Sequence, residues 1–250
     1  MKLIAVLAIS SFPLLLLFPG GKCGKISGGE EAVPHSRPFM AYLDGPCGGA
    51  LIEKDWILTA ARCYRNKTLK VMLGAHSVME YEDKRQIIQS EKVVVHPNFN
   101  PSTNDHNLML VKLSKKAVLN KFVSLLPLPA AAGSPPDGTQ CSIAGWGIMG
   151  YNGQLADKLQ EINVEVIDRD ICSGPDYLNK PIKSSMICAG HPNERKAFCQ
   201  GDYGGPLICD GTYTAIASYG FKCGEKAKPG VYTLLTDGYL KWIKEKIQEY

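Results

Sequence analysis

Eight cysteines between Cys47 and Cys223 constrain this 250-residue chain more than any other feature, because a fold that oxidises them must bring distant segments into fixed pairwise contact. They stand behind an export signature. Lys2 precedes an apolar run from Leu3 to Phe18, interrupted by Pro13 and closed by the small residues Gly20 and Gly21. That order predicts a signal peptide over 1–21, since the run falls short of the roughly 20 residues a membrane span needs and contains a helix breaker. Thiols in an exported chain meet an oxidising compartment. The rival use of clustered cysteines is metal, yet the chain has no C-x-x-C pair and its five histidines are scattered, so no metal is expected. By number alone, eight cysteines allow about a hundred connectivities.

Charge excludes other classes. The formal net charge is +4, but Lys2, Lys22 and Lys25 lie in the expected leader, leaving 25 basic against 24 acidic residues, or +1. So near a balance argues against nucleic acid or an anionic membrane as the main partner. Short apolar stretches such as "LKVMLGAH", "NLMLVKL", "CSIAGWG" and "INVEVID" recur between Gly, Pro, Asn and Asp clusters, the rhythm of antiparallel sandwiches or barrels. The segment Leu126–Gln140, "LPLPAAAGSPPDGTQ", holds four prolines and no period, and reads as a linker. Near the end, Leu240, Ile243 and Ile247 recur at helical spacing and predict one amphipathic helix.

Seven segments, in order, then carry a resemblance over nearly the whole chain: "ISGGEEAVPHSRPFMAYL", "CGGALIEKDWILTAARC", "NLMLVKL", "CSIAGWG", "MICAG", "CQGDYGGPLIC" and "KPGVYTLLTDGYLKWIK". Together they resemble the chymotrypsin-like serine proteases, and "PHSRPFMA", "LGAHSV" and "YTLLT" resemble granzymes A and K within that family. The resemblance implies an all-β protein of two antiparallel six-stranded Greek-key β-barrels packed face to face, with a C-terminal α-helix and a cleft between the barrels. On this reading residues 22–25 are a short propeptide and 26–250 the protease-like domain. Barrel one covers about 26–126, a linker about 127–136, barrel two about 137–236, and the helix about 238–248. The implied disulfides are Cys47–Cys63, Cys141–Cys209, Cys172–Cys188 and Cys199–Cys223, with Cys23 leaving with the leader.

Acyl transfer by such a cleft needs a hydroxyl nucleophile, an imidazole to take its proton and a carboxylate to hold the imidazole. The resemblance places Arg62 at the base ("TAARC"), Asn107 at the acid ("HNLMLVKL") and Tyr203 at the nucleophile ("GDYGGP"). A guanidinium stays protonated and cannot act as a base. An amide in place of the acid costs roughly 10⁴ in turnover. Neighbours do not substitute, since a one-residue shift in a strand turns His106 to the opposite face and a two-residue shift moves Asp105 by about 7 Å. His76 and His96 are expected to be loop or surface histidines. Ser218 matches a serine that supports the buried acid. A phenol nucleophile at Tyr203, activated by Arg62, would still lack a base. Arg62 is instead expected to stack on Tyr203 or to bond to the Asn107 carbonyl.

The resemblance also implies an activation bond at Lys25–Ile26, with Ser27 departing from the usual motif, and Asp202 as the acid that receives the new N-terminal ammonium. Gly201 would donate a backbone N–H to an oxyanion. Ala197 would floor the specificity pocket and Gly220 and Gly230 would form its walls, with no carboxylate to attract a basic side chain, so that a small or apolar group would enter. Asn66 in "NKT" is the one glycosylation sequon. The expectation is a secreted or granule-stored, monomeric homologue without a working triad or cofactor, binding a protein, cell-surface or microbial ligand. The alternative is a secreted hydrolase with unconventional chemistry.

Overall fold

The computed structural model describes residues 29–149, 153–191, 197–220 and 228–250. The leader, Cys23, Lys25, Ile26 and Cys223 lie outside the described residues.

Barrel one is built from β2 (Met40–Leu43), β3 (Cys47–Glu53), β4 (Trp56–Thr59), β5 (Lys70–Leu73), β6 (Gln86–Val95) and β7 (Met109–Leu113), closed in the order β2-β3-β4-β7-β6-β5. Barrel two comprises β8 (Gln140–Gly145), β9 (Gln160–Ile167), β10 (Met186–Gly190), β11 (Pro206–Cys209), β12 (Thr212–Gly220) and β13 (Gly230–Leu234). Its sheet runs β9-β10-β13-β12-β11-β8 and closes because β8 also pairs with β9. Every pairing is antiparallel. The two-barrel architecture with a terminal helix expected from the sequence is therefore the fold observed.

Side-chain alternation shows why these segments become strands. In β9, Gln160, Ile162, Val164 and Val166 point inward while Glu161, Asn163 and Glu165 point outward, the period of two that a half-buried strand requires. One element departs from the expected division. The first strand, β1 (Glu30–Glu31), pairs with Gln160–Glu161 of β9, so the start of the described chain is stitched to barrel two. Two charged residues carry no period that would have assigned this strand to a sheet.

Disulfides join Cys47 to Cys63, Cys141 to Cys209 and Cys172 to Cys188. Cys199 is also disulfide-bonded. The terminal helix, α2 (Asp237–Glu249), begins at Thr236, whose hydroxyl accepts the Tyr239 N–H at 3.3 Å. Its face of Tyr239, Leu240, Trp242 and Ile243 joins the barrel-one core, so the last element in sequence packs on the first barrel.

Two histidines expected in loops or at the surface lie in loops but are buried, His96 under the docked helix and His76 beside Glu31 of β1. His96 is 8% exposed and His76 6% exposed. The His96 ring stacks on His106 with centroids 5.1 Å apart and contacts Trp242, while the Tyr239 hydroxyl bonds to His106 Nδ1 at 2.9 Å. Burial, with the adjacent His106 charge, lowers the His96 pKa from 6.5 to about 4. The folded value lies below the unfolded one, so between pH 6.5 and about 4 the unfolded chain takes up a proton that the native state refuses. Stability through this group is full above the unfolded value and is lost as pH drops through the window. Thermal unfolding of His96→Asn against the parent should show a shallower acid loss in the variant; parallel profiles would refute the assignment.

Candidate functional site

The site lies where the barrels meet, and its residues come from both. A single 3-10 turn, Ala61–Cys63, follows β4 and carries Arg62, pinned at one end by the Cys47–Cys63 bond. Asn107, fully buried, stands at the entry to β7. Ser218, in β12 of the other barrel, is also buried. Tyr203 occupies the turn before β11 and packs against the cores of both barrels.

That turn is fixed by its backbone. The Gly48 N–H donates to the Tyr203 carbonyl at 2.8 Å, which ties barrel one to it, and the Gly204 N–H donates to the Ala217 carbonyl at 2.8 Å. Gly204 sits at φ +86°, and a Cβ there would lie 2.0 Å from Thr59 Oγ1. Only glycine fits, both for its left-handed backbone and for the closeness of barrel one. Gly201, at φ +104°, opens the same turn.

Asn107 is satisfied on both sides of its amide. Its Oδ1 accepts the Arg62 backbone N–H at 2.9 Å, and its Nδ2 donates to Ser218 Oγ at 2.8 Å. The bond from Arg62 to Asn107 thus comes from the backbone, while the guanidinium turns elsewhere. It lies 4.0 Å above the centre of the Tyr203 ring, and Nη1 donates to the Ser218 carbonyl at 2.9 Å. The expected cation–ring stack is present, and the added bond fastens it across the two barrels.

The phenol beneath this lid is not activated. Burial raises the Tyr203 pKa, the Asp202 charge acts in the same direction, and the Arg62 charge opposes them without prevailing. A phenolate nucleophile is disfavoured on that ground.

The residues expected to shape a specificity pocket lie close to a large ring. Gly220 and Gly230 face each other across β12 and β13, and Ala197 is buried nearby, but the space against Gly230 holds the ring of Phe198. A Cβ at Gly230 would lie 2.3 Å from Phe198 Cε1. Phe198 is buried, meets Tyr232 at 5.0 Å and Tyr203 at 6.0 Å edge to face, and so caps this wall with its own side chain. Beside Gly230 the protein places an aromatic group of its own. Sequence reasoning missed Phe198, although a large apolar residue between Ala197 and Cys199 was its one visible signal.

Asp202 is buried in the floor of the turn, where it accepts the Gly147 N–H at 2.7 Å and the Cys199 N–H at 2.8 Å. Burial outweighs these bonds and lifts its pKa from 3.8 to about 6. Asn66 is exposed at φ +55°, where its Oδ1 accepts a hydrogen bond from the Tyr64 hydroxyl.

What stays open is a groove of about 530 Å³ running past Arg62 and Tyr203, bordered by Pro46, Tyr64, Arg65 and Phe99. Among the described residues no group of histidine, cysteine and carboxylate side chains is placed to hold a metal, and no helix is long and apolar enough to cross a membrane.

A family model described as trypsin matches residues 26–243. Sheep mast cell protease 3 is 42% identical over 244 residues, covering 94% of each chain. Bovine granzyme A is 42% identical over 248 residues, covering 95% of this chain and 96% of its own. Baboon chymase is 40% identical over 246 residues, covering 94% and 97% respectively. A double barrel whose cleft is assembled from both halves, matched almost end to end by such relatives, belongs to the trypsin-like serine protease family.

Proposed function

We propose that this chain is a secreted or granule-stored member of the family that has lost proteolysis and acts by binding, as an immune effector, a decoy or a regulator of proteases. The observation that carries the reading is the Arg62 side chain. It occupies the base position with a group that holds its proton at any physiological pH, and it is committed to the Tyr203 ring and the Ser218 carbonyl. Among the described residues, Arg62 and not an imidazole stands between Asn107 and Tyr203. Phe198 fills space against Gly230 that a substrate side chain would need.

The open groove is left for a protein, cell-surface or microbial ligand. Relatives named as a mast cell protease and a granzyme support a secretory or granule setting. The leader at 1–21, the propeptide at 22–25, cleavage at Lys25–Ile26, pairing of the freed Ile26 ammonium with Asp202, and a glycan on Asn66 belong to the same reading, as does the domain at 26–250.

Reaction with a fluorophosphonate is the direct test. Neither the intact protein nor the protein cut after Lys25 is expected to incorporate label, beside an active serine protease that does. Stoichiometric incorporation into either form would overturn the reading.

A further inference from the structure

A second groove lies on barrel one and shares no bordering residue with the cleft. Its volume is about 480 Å³, between the start of β6 and the loop that follows β7. Lys84, Arg85, Lys115 and Lys116 surround it, with exposed Ile87 and Val118 between them and Asp83 as the one carboxylate on its border. The walls are fixed: the Gln86 amide donates to the Val118 carbonyl at 2.7 Å and accepts the Val118 N–H at 2.9 Å, which ties the loop to the strand.

The cations are not neutralised from within. Among the described residues, no carboxylate pairs with Lys84, Arg85, Lys115 or Lys116. Nearby Glu82 turns its carboxylate to the backbone N–H groups of His76 and Ser77. Arg85 donates to the Glu80 carbonyl at 2.6 Å, a bond that orients its guanidinium without removing its charge. In a chain whose charges nearly balance once the leader is set aside, four cations around one groove are a local concentration that costs self-repulsion.

We propose that this groove docks an extended, acidic segment of another protein in which carboxylates alternate with apolar side chains. Charge complementarity selects the acid. The apolar residues select a peptide over a sulfated polysaccharide: Ile87 is 41% and Val118 68% exposed, and a polyanion without apolar groups would leave both unmatched. In an extended strand successive side chains alternate in direction, so one face can meet the cations while the other covers Ile87 and Val118.

Fluorescence anisotropy on the intact secreted protein tests the proposal with two labelled peptides of about eight residues. One alternates Glu with Phe and Leu; the other carries the same charge on Glu and Ser. The mixed peptide should bind saturably and about tenfold more tightly than the Glu–Ser peptide, with an affinity that falls as salt is raised. Lys115→Glu together with Lys116→Glu should weaken it by about tenfold or more, and Val118→Ser, which keeps the backbone that Gln86 holds, by about threefold. Equal binding of the two peptides, full displacement of the mixed peptide by heparin at matched charge, or indifference to the lysine reversals would each overturn it. Because these side chains are exposed and lie outside the cleft, the result stands apart from whether the protein hydrolyses anything.

Discussion

Changing Arg62→His, Asn107→Asp and Tyr203→Ser together, followed by cleavage after Lys25, is expected to convert a protein inert to fluorophosphonate into one labelled stoichiometrically, while each single change leaves it inert. The backbone is already placed for the exchange. The Arg62 N–H meets Asn107 Oδ1 at 2.9 Å, a bond an aspartate would accept unchanged, and Ser218 Oγ can rotate its proton toward a carboxylate. Removing the guanidinium uncovers the turn that Gly201 and Gly204 already hold. The members of such a triad act as a unit worth on the order of 10⁶ in turnover, so one or two restored groups recover little. Peptide hydrolysis should lag behind labelling, because Phe198 still lies against Gly230. A further Phe198→Gly change should then raise peptide cleavage more than reaction with the small reagent. An unlabelled triple variant that folds and is cut would show that the cleft has drifted in geometry as well as in chemistry.

The parts of the site that could be read in advance were those decided by residue type at a position the strands fix. Arg62 and Tyr203 meet because one follows β4 and the other precedes β11, strands whose register the core imposes, and a cation and a ring brought to one place stack. The strands themselves were visible for the same reason, since alternation such as that of β9 leaves one orientation that buries Ile162, Val164 and Val166, while their closure into two barrels was what the resemblance implied. Less visible was whatever depends on which neighbour a side chain turns toward. Phe198 belongs to the site through its rotamer and through a glycine 32 positions later that leaves room for it. His96 is buried because α2 folds back over barrel one, a contact between segments more than 140 residues apart that no local period announces.

Cleavage after Lys25 is expected to stabilise the protein at neutral pH by about 3 kcal/mol, an effect that vanishes toward pH 4. The cause is Asp202. In the fold its pKa is about 6 against 3.8 for the free group, because burial penalises the carboxylate more than the Gly147 and Cys199 N–H bonds reward it. With the folded value above the unfolded one, the native state keeps a proton that the unfolded chain has lost. Stability from this group is therefore full below 3.8 and declines as pH rises through about 6. The neighbourhood offers no relaxation, since a Cβ on Gly145 or Gly147 would sit 2.1 or 2.3 Å from the carboxylate oxygens. An Ile26 ammonium, mostly charged below pH about 8, would favour the ionised carboxylate and cancel the loss. His96 slopes the opposite way over the same range, so the cut-minus-uncut difference in melting temperature isolates Asp202 better than either profile alone. For a domain of this size the difference near pH 7 should be roughly 6–12 °C. In the uncut protein Asp202→Asn should flatten the decline without any cleavage. Equal melting of cut and uncut forms at neutral pH, or a gap that widens on acidification, would mean that the buried acid no longer answers to the activation bond.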